Sequence, residues 1–374
     1  MQLTSAQRLK FQLFEHGLSI TRDALQALKQ AAAGQALSSD DFASTSGIIL
    51  RLEDNVWVNA PVSIFNPNFV VNSPYLLEHG NDGFVVRGNG LESRAKYWPQ
   101  PKFHSQVGAD GLPLTNYVVT HGDRARLSPI HGCGMVCKFC DVPYGVRYGK
   151  KPIPAMVDAV GRAIADPLQP ARHLLISGGT PRSADIGWLK EVYRAILTSF
   201  PSIDIDIMMV PVDDLLNVEE LGLMGVHQLS INLELFSDYA ARRFMPQKFR
   251  QGRNHYLNFI ENSATALGAG RVRSMLMVGL EPPEETLHGV QAIVERGGVP
   301  VLSPFRPDPT TPLKAMPPPS ADLMQSVFLS AMEIVDKGSA HLGPSCVPCT
   351  HNTLTLASTS QGSGHHSHGQ PFLV

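Results

Sequence analysis

In the last two thirds of the chain, segments with the hydrophobic spacing of strands alternate with segments that have the spacing of helices. Short strand-like runs occur at residues 125–130, 173–177, 203–210, 227–233, 272–278 and 299–303. Segments with helical apolar spacing follow them at residues 156–165, 186–199, 215–224, 255–267, 284–295 and 320–337. Because a connection that carries a helix joins parallel strands, the pattern predicts an α/β fold with a partial (β/α)6 TIM-type barrel over residues 121–318. Functional groups are then expected on the loops after the carboxyl ends of the strands.

The flanking segments show other patterns. Residues 9–14 and 18–32 have helical spacing, and residues 47–61 read as two strands about an Asp-Asn turn. Residues 62–120 are rich in Pro, Asn and Gly, which favours an irregular segment. We therefore expect an α+β extension or cap over residues 1–120. A C-terminal helix and cysteine-containing segment would occupy residues 319–357, followed by a flexible tail over 358–374 that includes His365, His366 and His368.

Composition narrows the class of protein. The 374 residues are 43% apolar and 17% charged, as in globular proteins. The formal net charge is -2, so charge gives no reason to expect nucleic acid or an anionic membrane as a partner. No apolar run reaches the length of a membrane span, and residues 1–10 lack the pattern of a secretory signal. These features predict a cytoplasmic protein.

A cysteine motif precedes most of the barrel. Residues 126–148 read RLSPIHGCGMVCKFCDVPYGVRY, in which Cys133, Cys137 and Cys140 have C-x3-C-x2-C spacing. Short loops of this kind can bring three thiolates round one four-iron cluster and leave one iron open to another ligand. A zinc ion completed by His131 or a distant residue is the alternative, and it would make the chain a non-enzymatic zinc-binding barrel protein.

With Phe139 just before the last cysteine, the motif resembles that of the radical SAM superfamily, with biotin-synthase-like and lipoyl-synthase-like members nearest. The resemblance implies a [4Fe-4S] cluster whose open iron chelates S-adenosylmethionine. Reductive cleavage of that cofactor would give a 5'-deoxyadenosyl radical, which abstracts hydrogen from a small-molecule substrate in an enzyme of the transferase kind. It also implies a reductant such as flavodoxin or ferredoxin.

The resemblance also implies cofactor-binding residues. They are Gly178, Gly179, Thr180, Ser230, Asn232, Glu234, Arg242, Arg243 and Gly279. Thr180 stands where many members have Glu. Ser230, Asn232 and Glu234 alternate along the fourth strand and would point inward, although a self-satisfied buried polar layer fits the same pattern. One of the two arginines would neutralise the methionine carboxylate, unless both lie on a solvated helix surface.

Two further groups leave alternatives open. Arg306 and Asp308, in the loop after the sixth strand, would bind substrate or form a structural ion pair. Cys346 and Cys349, with His351 close by, can supply part of a second metal site. A redox-active dithiol, a sulfur- or hydrogen-donating thiol and an inert turn are the alternatives. A second cluster would favour sulfur insertion or oxidation; a single cluster would favour rearrangement, bond cleavage or group transfer.

Overall fold

The computed structural model describes residues 2–31, 47–212, 215, 217–357 and 371–374. The prediction of a flexible tail and its three histidines therefore lies largely outside the described residues. Among the described residues, no helix combines the length and apolar character that a membrane crossing requires.

The N-terminal extension is a sheet packed on helices. Its elements are α1 (Ser5–His16), β1 (Ser19–Ile20), α2 (Arg22–Ala31), β2 (Ile48–Leu52), β3 (Trp57–Ala60), β4 (Leu76–Gly80), β5 (Gly83–Gly88) and β6 (Leu91–Tyr97). The strands form a six-stranded sheet in the order β1-β4-β5-β6-β2-β3. Helix α1 begins with a capping box, in which the side chain of Thr4 accepts from the N–H of Gln7.

The structure corrects two predictions for this extension. Residues 76–97 are three antiparallel strands rather than an irregular segment, with Gly-containing turns at 80–83 and 88–91. The helix predicted over 18–32 begins only at Arg22, because Ser19 and Ile20 pair with β4. The predicted pair of strands about Asp54 and Asn55 is confirmed, and both turn residues have left-handed φ angles of 55° and 58°.

The barrel follows the extension. Its strands are β7 (Val118–His121), β8 (Arg124–Leu127), β9 (Ile130–His131), β10 (Gly149–Lys150), β11 (His173–Ile176), β12 (Asp204–Met208), β13 (Gln228–Ser230), β14 (Val272–Val278) and β15 (Val299–Pro304). Its helices are α3 (Val142–Gly145), α4 (Ile153–Ile164), α5 (Ile186–Ser199), α6 (Val218–Leu223), α7 (Asp238–Phe244), α8 (Pro246–Gln251), α9 (Arg253–Leu267), α10 (Pro283–Val294) and α11 (Ala321–Lys337).

Six parallel strands form the barrel wall, as predicted. The sheet order is β15-β14-β13-β12-β11-β8-β7, in which β7 alone runs antiparallel, through a hairpin with β8. The fourth parallel strand is shorter than predicted. Beyond Ser230 the chain stays extended as far as an isolated bridge between Glu234 and Leu276, and Glu234 has a φ of 66°. The partial barrel therefore places the ends of β8 and β11–β15 around one interior.

Extension and barrel share an apolar core. The rings of Phe11 on α1 and Phe328 on α11 lie 5.8 Å apart, and both side chains are fully buried. Lys10, also fully buried, donates to the carbonyl oxygens of Thr350 at 2.9 Å and Thr355 at 2.6 Å. These contacts hold the C-terminal segment in a fixed position beneath the barrel.

Candidate active site

A cavity of about 280 Å³ occupies the barrel interior. Cys133 and Cys140 line it beside Gly178 and Gly179, which follow the carboxyl end of β11. Cys349 and Thr353 also line it, next to Arg124 at the amino end of β8. The interior therefore lies between the two cysteine groups of the sequence, one at each end of the strands.

The first cysteine loop interlocks with the Gly-Gly turn after β11. The N–H of Thr180 donates to the Cys133 sulfur at 3.1 Å, and the N–H of Gly134 donates to the Thr180 carbonyl at 2.8 Å. A Cβ atom added to Gly179 would overlap the carbonyl oxygen of Gly132. The turn therefore requires glycine here so that its backbone can approach the cysteine loop.

The three thiols of this loop are partly or fully sheltered. Cys137 is buried and packs in an apolar cluster with Phe139 and Phe244, with Cys140 against it. Burial raises the pKa of Cys137 to about 11, and it raises that of Cys140 as well.

Ser230, at the end of the fourth parallel strand, lines the cavity together with Asn232 and Glu234. Ser230 donates to the Asn232 side-chain oxygen at 2.9 Å, and the N–H of Met275 donates to the same oxygen at 3.1 Å. Glu234 is different: one carboxylate oxygen lies 3.2 Å from the Nζ of Lys248, and the other is buried with no hydrogen-bond partner among the described residues. An unpartnered buried carboxylate oxygen at a cavity wall suits a ligand that donates hydrogen bonds.

Arg242 and Arg243 do not line the cavity. Both side chains are exposed on α7, where Arg242 stacks on Phe249 at 4.9 Å and Arg243 stacks on Phe244 at 5.2 Å. Both arginines therefore lie on a solvated helix surface, the second of the two interpretations of their sequence positions.

Two more predicted positions, Thr180 and Gly279, are not among the residues that line the cavity. Thr180 contributes its backbone to the cysteine loop. Gly279 has a φ of 108°, and a Cβ there would lie 2.9 Å from Pro319, so close packing accounts for this glycine.

Arg306 lines the cavity, and its guanidinium group is held by hydrogen bonds to other parts of the protein. It donates to the Asn59 carbonyl at 3.1 Å and to the Asn352 side chain at 2.8 Å. Asp308 instead accepts from the N–H of Thr310 at 2.7 Å. Arg306 therefore ties the barrel loop to the extension and to the C-terminal segment.

The arginines at the amino end of the barrel were not among the predicted site residues. Arg124, Arg126 and Arg273 all line the cavity. Arg273 lies 2.8 Å from the carboxylate of Asp206 and both side chains are largely buried. The Arg-Ala-Arg alternation of β8 was the available signal, because positions two apart share one face of a strand.

The second cysteine pair lies in a cluster with two residues that the sequence motif did not include. The sulfur of Cys346 is 3.1 Å from an Asp123 oxygen, and the sulfur of Cys349 is 3.4 Å from the Nε2 of His173. His351 is outside the cluster, with its Nδ1 2.7 Å from the Pro348 carbonyl oxygen. Burial alone would raise the pKa of the Cys349 thiol. The hydrogen bond from Cys346 and the positive charges of Arg124 and His173 outweigh burial, so the pKa is lowered.

Comparisons with known proteins place these features in context. Residues 127–296 match the family model described as the Radical SAM superfamily. A curated relative, bacteriochlorophyllide c C-7(1)-hydroxylase of Chlorobaculum limnaeum, is 26% identical in an alignment of 212 residues, and the match covers 50% of this chain and 52% of that protein. The chain thus spans about half of the length of this relative.

The solved structures to which the chain is similar include the FeFe-hydrogenase maturase HydG of Carboxydothermus hydrogenoformans. It has a TM-score of 0.46 and 16% identity, covering 60% of this chain and 55% of that one. A radical SAM methyltransferase from Sphaerobacter thermophilus has a TM-score of 0.46 and 13% identity, covering 76% and 82%. SuiB of Streptococcus suis, bound to its precursor peptide SuiA, has a TM-score of 0.45 and 13% identity, covering 63% and 51%.

Proposed function

Because residues 127–296 are a radical SAM superfamily domain, we propose that this enzyme cleaves S-adenosylmethionine reductively at a [4Fe-4S] cluster and abstracts hydrogen from a small-molecule substrate held in the barrel. The family match confirms the resemblance found in the sequence and the cofactors that it implied. The closer likeness to biotin-synthase-like and lipoyl-synthase-like members stays a prediction.

Cys133, Cys137 and Cys140 would hold the cluster. The observation that carries this assignment is the interlock of their loop with the Gly-Gly turn at the edge of the cavity: Thr180 donates to the Cys133 sulfur at 3.1 Å, and Cys133 and Cys140 line the interior. Backbone N–H groups directed at cluster sulfurs stabilise their negative charge. His131, one of the candidates for the fourth ligand in the zinc alternative, lies in β9, which pairs with β10.

Glu234 and the Gly178-Gly179 turn would bind the cofactor. The unpartnered oxygen of Glu234 can accept a hydrogen bond from an amino or hydroxyl group, while Lys248 neutralises the other oxygen. The turn lets backbone approach a ligand, since neither glycine carries a side chain. When bound, the reduced cluster would supply the electron that splits the sulfonium bond, so that a carbon radical takes hydrogen from the substrate. Ser230 and Asn232 would shape the wall, since they already bond each other.

One part of the cavity wall is apolar. Met208, Met275 and Met277 line the cavity there, with Leu175 and Val301. Thioether and aliphatic side chains offer no strong polar group to hold water near a reactive carbon. We infer that this part of the wall binds the substrate and keeps the radical from solvent.

A hydroxylation of the substrate is the second candidate outcome. It is favoured by the curated relative, whose name is that of a hydroxylase, at 26% identity. Sulfur insertion would need a second cluster. Rearrangement, bond cleavage and group transfer need only one cluster. A flavodoxin-like or ferredoxin-like protein would deliver the electron, in the cytoplasm.

Electron paramagnetic resonance tests the proposal. Protein reconstituted without oxygen and reduced with dithionite should show the signal of a reduced [4Fe-4S] cluster, and added S-adenosylmethionine should change that signal. Cys133→Ala should abolish the signal, and Cys346→Ala should leave it. A colourless, zinc-loaded and air-stable protein would overturn the proposal and support the non-enzymatic zinc-binding alternative.

A further inference from the structure

We propose that Asp123, His173, Cys346 and Cys349 bind a single zinc ion that closes the amino-terminal end of the barrel. This site is separate from the proposed cofactor site. His173 is the first residue of β11, whereas Gly178 lies five positions later, which corresponds to about 17 Å along an extended chain.

The distances within this four-residue cluster suit one ion. All four ligand atoms lie within 4.8 Å of one another. The pairs measured from Asp123 Oδ1 are 3.1 Å to the Cys346 sulfur, 3.8 Å to the Cys349 sulfur and 3.2 Å to His173 Nε2. A tetrahedral zinc ion with ordinary bond lengths separates its ligand atoms by about 3.3 to 3.8 Å. Only small movements are needed to complete such a tetrahedron.

An iron–sulfur cluster does not suit the same atoms. In a two-iron cluster the ligands belong to different irons, and a cubane needs its protein ligands spread around a body several ångströms wide. Here the four ligand atoms all lie within 4.8 Å of one another, which is too close for separate corners of a cubane. Two thiolates, an imidazole and a carboxylate are ligands that zinc accepts, and four protein ligands leave no open position, which is typical of a structural rather than a catalytic zinc ion.

The surrounding structure prepares the site. The N–H of Cys349 donates to the Cys346 sulfur at 3.4 Å. This hydrogen bond holds the C-x2-C turn in a conformation that brings the two cysteines together. Gly122, with a φ of 64°, brings the β7–β8 turn against Pro348, and a Cβ there would lie 3.1 Å from that ring. Such a close approach presents Asp123 to both sulfurs.

Burial and charge also favour an ion. Asp123, His173 and Cys349 are 5%, 6% and 3% exposed. Two thiolates and a carboxylate carry three negative charges against the two positive charges of a zinc ion. Arg124, next in sequence to Asp123 and partly buried, supplies a positive charge that balances the remaining one. The ion would fix the C-terminal segment to β7, β8 and β11. Because Cys349 lines the cavity, that segment forms its floor.

Metal analysis of the full-length, anaerobically reconstituted enzyme tests this site independently of catalysis. We expect about one zinc and about four irons per chain. Asp123→Asn and Cys346→Ser should each reduce zinc at least about fivefold while iron stays unchanged. His351→Gln is the matched control, because His351 is adjacent in sequence but outside the cluster, and it should retain zinc. About eight irons without zinc, or a disulfide between Cys346 and Cys349 in protein lacking zinc, would overturn the proposal.

Cobalt substitution keeps the test decisive if a variant does not fold. Wild-type protein expressed with cobalt in place of zinc should show the visible bands of tetrahedral cobalt with thiolate charge transfer. A spectrum of six-coordinate cobalt without thiolate bands would contradict the site. Either result is independent of S-adenosylmethionine cleavage, so failure of this proposal and failure of the proposed function can be told apart.

Discussion

The Nζ of Lys248 on α8 lies 3.2 Å from the Oε1 of Glu234 at the wall of the barrel cavity, and each side chain is about one tenth exposed. Lys248 also donates to the Asn232 carbonyl at 3.2 Å. Although burial opposes its charge, Glu234 raises the pKa of Lys248 above its ordinary value. The pair fixes one carboxylate oxygen and directs the other, unpartnered oxygen to a ligand.

Glu234→Gln should weaken S-adenosylmethionine binding by about 10-fold to 150-fold, because a hydrogen bond to a charged oxygen contributes about 1.5 to 3 kcal/mol. Iron content should be unchanged, since the side-chain partner of Glu234 is Lys248 and not a residue of the cysteine loop. Anaerobic equilibrium dialysis of the reconstituted variant measures the affinity. Glu284→Gln, an exposed glutamate on α10, is the control and should bind as wild type. Wild-type affinity in Glu234→Gln would exclude Glu234 as a cofactor ligand.

Gly179→Ala should lower the iron content by at least about half and destabilise the fold by about 1 to 3 kcal/mol. The reason is steric: the new methyl group would overlap the Gly132 carbonyl and lie 2.8 Å from the Cα of Cys133, so the cysteine loop must move. Iron analysis and thermal unfolding measure the two effects. Gly187→Ala on α5 has open space at the added Cβ and should retain iron. Full iron occupancy in Gly179→Ala would show that the loop does not depend on this contact.

Asp206→Asn should cost about 3 to 5 kcal/mol of unfolding free energy, because it leaves the Arg273 guanidinium buried without its carboxylate. The two groups lie 2.8 Å apart with side chains 4% and 10% exposed. Asp158→Asn, in an exposed pair with Arg162, should cost less than about 1 kcal/mol. Urea unfolding under argon compares the two variants. Equal losses would mean that burial of the Asp206 pair carries no special cost.

Acid should destabilise the protein through His104. Burial, and then the charge of His121, lowers the pKa of His104 from 6.5 to about 3, and its Nε2 accepts from the N–H of Thr120 at 3.0 Å. The unfolded chain therefore binds the proton first, so the stability that His104 contributes above pH 6.5 is lost progressively as pH falls towards 3.

Between pH 7.5 and pH 5.5 this group should cost about 1.4 kcal/mol of unfolding free energy. His104→Gln keeps a hydrogen-bond acceptor for Thr120 but cannot be protonated, so its stability should fall less over the same range. Urea unfolding at the two pH values gives the difference. If both proteins lose the same free energy, His104 is not the responsible group.

The parts of the fold that local pattern determines were predictable. Six strand-and-helix alternations gave the parallel barrel wall, and the C-x3-C-x2-C spacing gave the cysteine loop. The strands at 76–97 were missed because a bias towards Pro, Asn and Gly obscured two short Gly-containing turns that join them. The helical spacing of residues 18–32 predicted one continuous helix. Ser19 and Ile20 instead form a strand because they pair with β4, a tertiary contact that local spacing does not reveal.

Site residues joined only by tertiary structure were not predictable. Asp123 and Cys346 are 223 positions apart, yet their side chains lie within 3.1 Å. Nothing near the cysteine pair indicated Asp123 or His173, whereas His351 was near in sequence and proved to lie outside the cluster. Arg242 and Arg243 follow the fourth strand closely, but the helix that carries them turns their side chains to solvent.

The most direct test of the central claim is the amount of 5'-deoxyadenosine formed when the oxygen-free, iron-loaded enzyme is incubated with S-adenosylmethionine and dithionite. We predict that wild-type protein forms this product, that Cys133→Ala, Cys137→Ala and Cys140→Ala form none, and that Cys346→Ala still forms it. A wild-type protein that holds a full cluster yet forms no 5'-deoxyadenosine under these conditions would contradict the assignment.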